Sequence, residues 1–142
     1  MRHKVDGRLF GRPSNQRKAL LRGIVTALLE NQRIETTVAK AKEAKRIAER
    51  MISFGIKGDL HSKRQVLSYV TDRSVASKLF NEIAPRFTGR NGGYLRLVQT
   101  RQRLKDSAPM AVLEFVDYEA VKKPKGKAAA AEKAGKTDKK ES

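Results

Sequence analysis

The first 22 residues of the chain are strongly basic, and this limits what the segment can fold into. Gly7, Gly11 and Pro13 interrupt it before a first amphipathic helix begins. Such an arm has too little apolar surface to offset the entropy lost on ordering. It predicts a polyanionic partner, whose phosphates it would neutralise with release of counterions. The segment contains a single acid, Asp6, against seven cations: Arg2, Lys4, Arg8, Arg12, Arg17, Lys18 and Arg22.

The composition extends this electrostatic character to the whole chain. Its 142 residues carry a formal net charge of +17, which favours a nucleic-acid partner. An anionic membrane surface is the competing partner, but Trp is absent and the bulky apolar residues follow core patterns. The absence of Cys excludes disulfides, structural zinc fingers and thiol catalysis. No apolar stretch approaches the roughly 18 residues of a membrane span, and we expect a cytoplasmic protein.

The pattern along the chain predicts three segments. Residues 1–13 form the basic arm, residues 14–117 an α+β domain that binds RNA, and residues 118–142 a disordered tail rich in Lys and Ala. The expected order in the domain is helix, strand, three helices and two strands. This order predicts two layers, with a small mixed sheet under the helices.

Local signals predict where these elements begin and end. Ser14 or Asn15 is expected to cap the first helix, and residues 33–37 to form the first strand. Gly55 and Gly58 are expected to end the second helix, and Asp59 to cap the third. The fourth helix would start at Thr71 or Asp72 and stop before Pro85, and the last two strands would cover residues 94–100 and 110–116.

A glycine-rich turn precedes the second strand. It joins Gly89, Gly92 and Gly93 to flanking arginines and to two aromatic residues, Phe87 and Tyr94. Arginines, aromatic rings and exposed amides suit structured RNA. Two interpretations of the rings remain open, since they can stack on bases or pack in the core.

The sequence contains no convincing catalytic or metal-binding constellation. The histidines are His3, in the arm, and His61, beside the expected helix cap Asp59. Neither has the spacing of a metal site or of a nucleophile and its base. We therefore expect a protein that is not an enzyme and that needs no cofactor or metal.

Taken together, these motifs resemble the bacterial large-subunit ribosomal protein family L17, over roughly residues 1–117. Their order and spacing make the match specific, although each motif alone is weak. The motifs are Met1-Arg2-His3-Lys4 with Gly7-Arg8, Arg12, Ser14 and Arg17; Ile34-Glu35-Thr36-Thr37; Lys40-Ala41-Lys42-Glu43; Lys78-Leu79-Phe80-Asn81-Glu82; Pro85-Arg86-Phe87 with Arg90 and Gly92-Gly93-Tyr94; and Ala108-Pro109-Met110-Ala111 with Glu114.

The resemblance implies a structural constituent of the large ribosomal subunit. Such a protein would bind ribosomal RNA (rRNA) near the polypeptide exit, beside neighbouring ribosomal proteins. Two other classes remain as alternatives: a nucleoid-type architectural protein that binds DNA, and an enzyme acting on RNA. The residues expected to contact rRNA are Arg2, His3, Lys4, Arg8, Arg12, Arg17, Lys18, Arg22, Lys40, Lys42, Lys45, Arg46, Arg86, Arg90, Gly92, Gly93, Tyr94 and Arg96.

Overall fold

The computed structural model describes residues 7–118 and shows the expected α+β architecture. Helix α1 (Ser14–Asn31) leads into strand β1 (Arg33–Thr37), which is followed by α2 (Val38–Lys57), α3 (Leu60–Tyr69) and α4 (Arg73–Lys78). Helix α4 continues through a π-helical turn (Leu79–Ile83) into α5 (Ala84–Arg86). Strands β2 (Leu95–Gln102) and β3 (Pro109–Phe115) complete the domain.

The sheet is antiparallel throughout, so the expected mixed sheet is wrong. Its strand order is β1-β3-β2, and β3 pairs antiparallel with both neighbours. The most apolar strand thereby takes the central position, where strands on both sides shield it. β1 and β2 run in the same direction but are not adjacent, which is why no parallel pairing arises.

The core lies between the helices and one face of the sheet. The alternate residues Ala111, Leu113 and Phe115 of β3 are fully buried on that face. From α2, the buried stripe contains Ala41, Ala44, Ala48, Met51 and Ile52, as the helical spacing predicted. The small side chains of the three alanines let this helix lie close to the sheet.

Some apolar positions that fit helical spacing lie outside the core. In α3, Val66 is fully buried, but Leu60 and Leu67 remain 64% and 47% exposed. The helix is short and packs through one narrow side, so the spacing alone overestimated its buried face. No helix in the described part of the chain is both long and apolar enough to span a membrane.

Of the two glycines expected to end α2, Gly58 does so and Gly55 does not. Helix α2 continues through Gly55 and ends at Gly58, whose φ of 67° is the left-handed conformation common after a helix. Gly55 is buried, and a Cβ added there would lie 3.3 Å from Ala84 Cβ and 3.4 Å from Leu79 Cγ. Its lack of a side chain therefore serves the contact with the π-helical turn.

Pro85 lies inside a helical segment, although the sequence placed it just beyond one. Proline has no N–H to donate, and its ring clashes with the carbonyl four residues earlier in a regular α-helix. Here the preceding turn is π-helical, and the Ala84 N–H donates to the Leu79 carbonyl. The wider turn shifts the hydrogen-bond pattern just before the proline, so the chain stays helical to Arg86.

Of the helix caps predicted from the sequence, two are confirmed and one is wrong. The Asp59 and Asp72 carboxylates accept hydrogen bonds from the Ser62 and Ser74 backbone N–H groups, both at 2.8 Å. Hydrogen bonds from these serines lower the pKa of each carboxyl group. Helix α1 has Pro13 at its N-cap position and no side-chain cap, so the expected cap at Ser14 or Asn15 is wrong.

The glycine geometry predicts opposite responses at two helical positions. Gly55→Val should lower the free energy of unfolding by about 1–3 kcal/mol, because the new side chain overpacks the contact with Leu79 and Ala84. Gly23→Ala, in α1, should raise it by about 0.5–1 kcal/mol, because a Cβ there meets no atom within 4 Å and alanine favours the helix. Urea denaturation measures both; equal shifts at the two positions would contradict the packing role of Gly55.

Candidate nucleic-acid interface

The described part of the basic arm lies against α2. The carboxylate of Glu43 is only 16% exposed and stands 3.9 Å from Arg8 Nε and 3.9 Å from Arg46 Nη1. Gly7 brings its backbone close, since a Cβ added there would lie 3.7 Å from Glu43 Oε2. Glu43 therefore joins the arm to α2 at a defined point. The predicted contacts Arg2, His3 and Lys4 lie outside the described residues.

A turn follows the contact with Glu43 and leads into α1. The Arg12 N–H donates to the Leu9 carbonyl at 3.2 Å, and Arg12 Nη1 donates to the Phe10 carbonyl at 2.9 Å. Phe10 and Gly11 have φ angles of 56° and 60°, which reverse the chain locally. Part of the Arg12 guanidinium thus stabilises the turn, while the residue as a whole stays exposed.

The cations predicted on α2 all lie outside the alanine stripe, some on the far side of the helix and some at the edges of the stripe. Lys42 and Arg46 are exposed, and Lys40 and Lys45 are half-buried. Lys45 Nζ lies 3.9 Å from Glu49 Oε1, whereas Lys40 and Lys42 form no ion pair with any other described residue. No acid within residues 7–118 therefore competes with an external anion for these two lysines.

The cations predicted on α1 differ in exposure and in their contacts within the protein. Lys18 is exposed and Arg17 is half-buried. The Arg22 guanidinium lies 5.6 Å from the centre of the Tyr69 ring, in a cation–π contact that joins α1 to α3. Burial raises the pKa of Tyr69, and the Arg22 charge opposes this effect. Arg22 therefore has a structural contact that the helical spacing did not reveal.

The glycine-rich turn is held by hydrogen bonds among its own residues. Arg90 Nε donates to the Gly92 carbonyl at 3.0 Å, and the Tyr94 hydroxyl donates to the Arg90 carbonyl at 3.2 Å. Gly92 and Gly93 have φ angles of 149° and 65°, which other residues rarely adopt. These contacts fix the turn without an external ligand.

Both aromatic residues of the turn pack in the core. Phe87 and Tyr94 are 3% and 4% exposed, and their rings meet edge to face with centroids 5.4 Å apart. Phe87 also stacks on Phe115, at 5.8 Å. Of the two interpretations of these rings, the structure favours core packing, and a buried Tyr94 ring cannot stack on a base.

Arg86 is bound within the protein. Its Nε lies 3.2 Å from Asp117 Oδ2, and two of its nitrogens donate to Gln32 Oε1 at 3.3 and 3.4 Å. Its guanidinium also lies 5.8 Å from the centre of the Phe115 ring. These contacts join the end of α5 to the α1–β1 connection and to the end of β3.

Arg96 belongs to a row of charges across all three strands. Arg33, Glu114 and Arg96 occupy facing positions on β1, β3 and β2. Arg96 donates to Glu114 Oε1 at 3.0 and 2.7 Å, and Arg33 Nε lies 3.5 Å from Oε2. Sequence reasoning missed Arg33, although an isolated acid in the apolar strand β3 was a signal for cationic neighbours.

The rRNA contacts predicted on α2 and those predicted on the glycine turn lie near opposite ends of the sheet. Thr37, which precedes α2, pairs with Met110, whereas Leu95, which follows the turn, pairs with Phe115. Met110 and Phe115 are five positions apart on β3, which corresponds to roughly 16 Å at the rise of a strand. The structure therefore brings together the arm and α2 and leaves the turn apart.

The structure contains no group of three or more potential metal-ligating side chains within residues 7–118. The contacts above depend on charge, hydrogen bonds and shape. What this surface offers chemically is the binding of an extended anion along the arm and the first turns of α2.

The Glu43 geometry predicts how the arm responds to proteolysis. Glu43→Gln removes the charge and keeps the shape, so the arm should detach more often and trypsin should cleave after Arg8 about two- to fivefold faster. Mass spectrometry of timed digests measures the cleavage. Glu82→Gln, at an exposed position on the π-helical turn, serves as the control; equal rates in the two variants would contradict the anchoring role.

Comparison with known proteins gives one consistent result. The model of the family described as "Ribosomal protein L17" matches residues 20–116. The chain is 64% identical to a protein named "Large ribosomal subunit protein bL17" from Thermodesulfovibrio yellowstonii, over 83% of this chain and 89% of that protein. A protein of the same name from Symbiobacterium thermophilum is 58% identical, over 75% of this chain and 95% of the relative.

A third relative shows that the similarity persists at lower identity. The protein of the same name from Desulfotalea psychrophila is 52% identical, over 84% of this chain and 92% of its own length. The matched segment includes every helix and strand from β1 to β3 and most of α1. The chain belongs to the ribosomal protein L17 family.

Proposed function

We propose that this large-subunit ribosomal protein binds rRNA through the arm, the start of α1 and the first turns of α2. The observation that carries the proposal is the distribution of cations without an internal partner. Lys18, Lys40 and Lys42 form no ion pair with any other described residue, and the anchored arm adds Arg8, which lies beside α2, and Arg12, in the turn before α1. An extended anion can contact the three lysines without breaking the ion pairs that hold the fold.

The two parts of this surface bind in different ways. The first turns of α2 are held on the sheet by buried alanines, so their lysines are already positioned for phosphates. Within the described residues, the arm contacts α2 beside Glu43, and its arginines can form planar, bidentate contacts with RNA. The Glu43 anchor gives the residues before Gly7 a fixed starting point next to α2.

The proposed role is structural. The protein acts as a constituent of the large subunit on cytoplasmic ribosomes, as a member of a ribosomal protein family and not as an enzyme. We place it near the polypeptide exit, beside neighbouring ribosomal proteins, as the family resemblance implies. The division into arm, domain and tail is part of the same proposal; the tail beyond Tyr118 lies outside the described residues.

Gradient sedimentation of a cell lysate tests this role. The protein should migrate in stoichiometric amounts with the large ribosomal subunit and remain there after a high-salt wash that removes loosely bound basic proteins. Migration with DNA would reject the proposal in favour of an architectural DNA-binding protein. Migration at the top of the gradient would reject any stable assembly.

Salt dependence separates the cations that bind RNA from those that hold the fold. If about eight phosphates are neutralised, the logarithm of rRNA affinity should fall against that of salt concentration with a slope of roughly −6 to −7. Lys42→Ala should reduce the magnitude of the slope by about 0.7–0.9 without changing stability.

Arg96→Ala is the matched control, because it removes an equal charge from the far end of the sheet. It should leave the slope nearly unchanged and lower the free energy of unfolding by about 1–3 kcal/mol, since Glu114 then loses its closest partner. Filter binding at several salt concentrations and urea denaturation give the two quantities. A reduced slope for Arg96→Ala with unchanged stability would assign that arginine to the RNA instead.

A further inference from the structure

The connection between β2 and β3 is a closed, hydrogen-bonded loop. Arg103 Nε and Nη2 donate to the two carboxylate oxygens of Asp106 at 2.8 and 2.6 Å. The Ser107 N–H donates to the Arg103 carbonyl at 2.8 Å, and the Arg103 N–H donates to the Ala108 carbonyl at 2.9 Å. The loop is therefore held in one shape by bonds among its own residues.

This loop presents an apolar side chain to solvent. Leu104 is 96% exposed, more than any other large apolar residue among those described. A single exposed leucine is ordinary on a protein surface. A leucine on a loop that is already ordered is different, because burying it in a partner costs little additional conformational entropy.

The surroundings of Leu104 are cationic. Lys105 follows it and is exposed, and Arg101, at the end of β2, has a side chain that is 72% exposed and lies 3.6 Å from Glu35. Two of the three cations in residues 101–106 already have an acidic partner, Glu35 for Arg101 and Asp106 for Arg103, whereas Lys105 forms no ion pair with any other described residue. The charge around the leucine complements a polyanion and disfavours a basic protein partner.

The sheet register places the loop next to the proposed RNA surface. The residues just after the loop lead to Met110, which pairs with Thr37, and α2 begins directly after Thr37. The loop and Lys40 therefore lie at the same end of the sheet, away from the glycine turn. One RNA partner can contact both.

We propose that the β2–β3 loop is a second rRNA contact, in which Leu104 packs against an unstacked base or the shallow groove while Lys105 and Arg101 contact phosphates. This inference rests on the proposed function and adds a contact of a different kind. Apolar side chains can enter between bases or lie on sugar and base surfaces, while neighbouring cations position the backbone.

Binding of protein-free large-subunit rRNA, measured against salt in excess unrelated RNA, tests the proposal. Leu104→Ala should weaken binding about three- to tenfold with an unchanged salt slope, because an apolar contact is lost and no charge changes. Leu60→Ala, at the exposed leucine of α3, is the matched control and should bind like the natural protein. Both positions are exposed, so neither change should impair folding.

Leu104→Lys separates an apolar contact from simple electrostatic attraction. A loop that acts only through charge would bind more tightly and with a steeper salt slope after this change, and that result would overturn the proposal. The expected result is weaker binding, as for alanine.

Three further outcomes identify where the inference fails. If Leu104→Ala binds protein-free rRNA normally but enters large subunits poorly, the leucine contacts a protein and the RNA contact is wrong. If the natural protein itself fails to bind this rRNA, the proposed function fails and the loop contact with it. Normal binding and normal incorporation of Leu104→Ala would overturn the loop contact alone.

Discussion

Repulsion among cations is the constraint on which the rest of this structure depends. The chain has 32 Lys and Arg residues against 15 acids, so a compact domain must keep most like charges apart. Its acids are placed where cations converge. Glu114 lies between two strands that each contribute an arginine, and Glu43 lies between the arm and α2. The acids thus define which cations hold the fold, and the remaining cations can serve an external anion.

Features that depend on local spacing could be predicted from the sequence. The alanine stripe of α2 and the caps at Asp59 and Asp72 follow from helical periodicity and from hydrogen bonds within one turn. The near-continuous apolar run of β3 indicated a buried strand, and β3 is the central strand. The α+β class followed from the order of these elements, because each could be recognised within its own segment.

Features that depend on contacts between distant segments could not be predicted in this way. Glycine often ends a helix. Only the approach of Leu79 and Ala84 explains why Gly55 lies within a helix here. The sequence did not reveal the internal partners of Arg86 and Arg96, because Asp117 and Glu114 lie 31 and 18 residues away along the chain. Glycine-rich turns and arginines have the same appearance in a sequence whether they bind a ligand or the protein itself.

The close packing of α2 explains how a small domain can present cations and remain stable. Successive residues of a helix are about 100° apart, so buried alanines on one side leave lysines pointing outward on the other. Because the alanines are small, the helix lies near the sheet and its backbone is held firmly, which fixes the starting positions of Lys40 and Lys42. A ligand on this face would meet a backbone that is already ordered. The arm differs, because its described residues are held by one ion pair with α2 and one turn, and under the proposed function phosphate contacts would offset the entropy lost on ordering it. Glu43 holds Gly7 and Arg8, in the middle of the arm, against a helix that is already ordered.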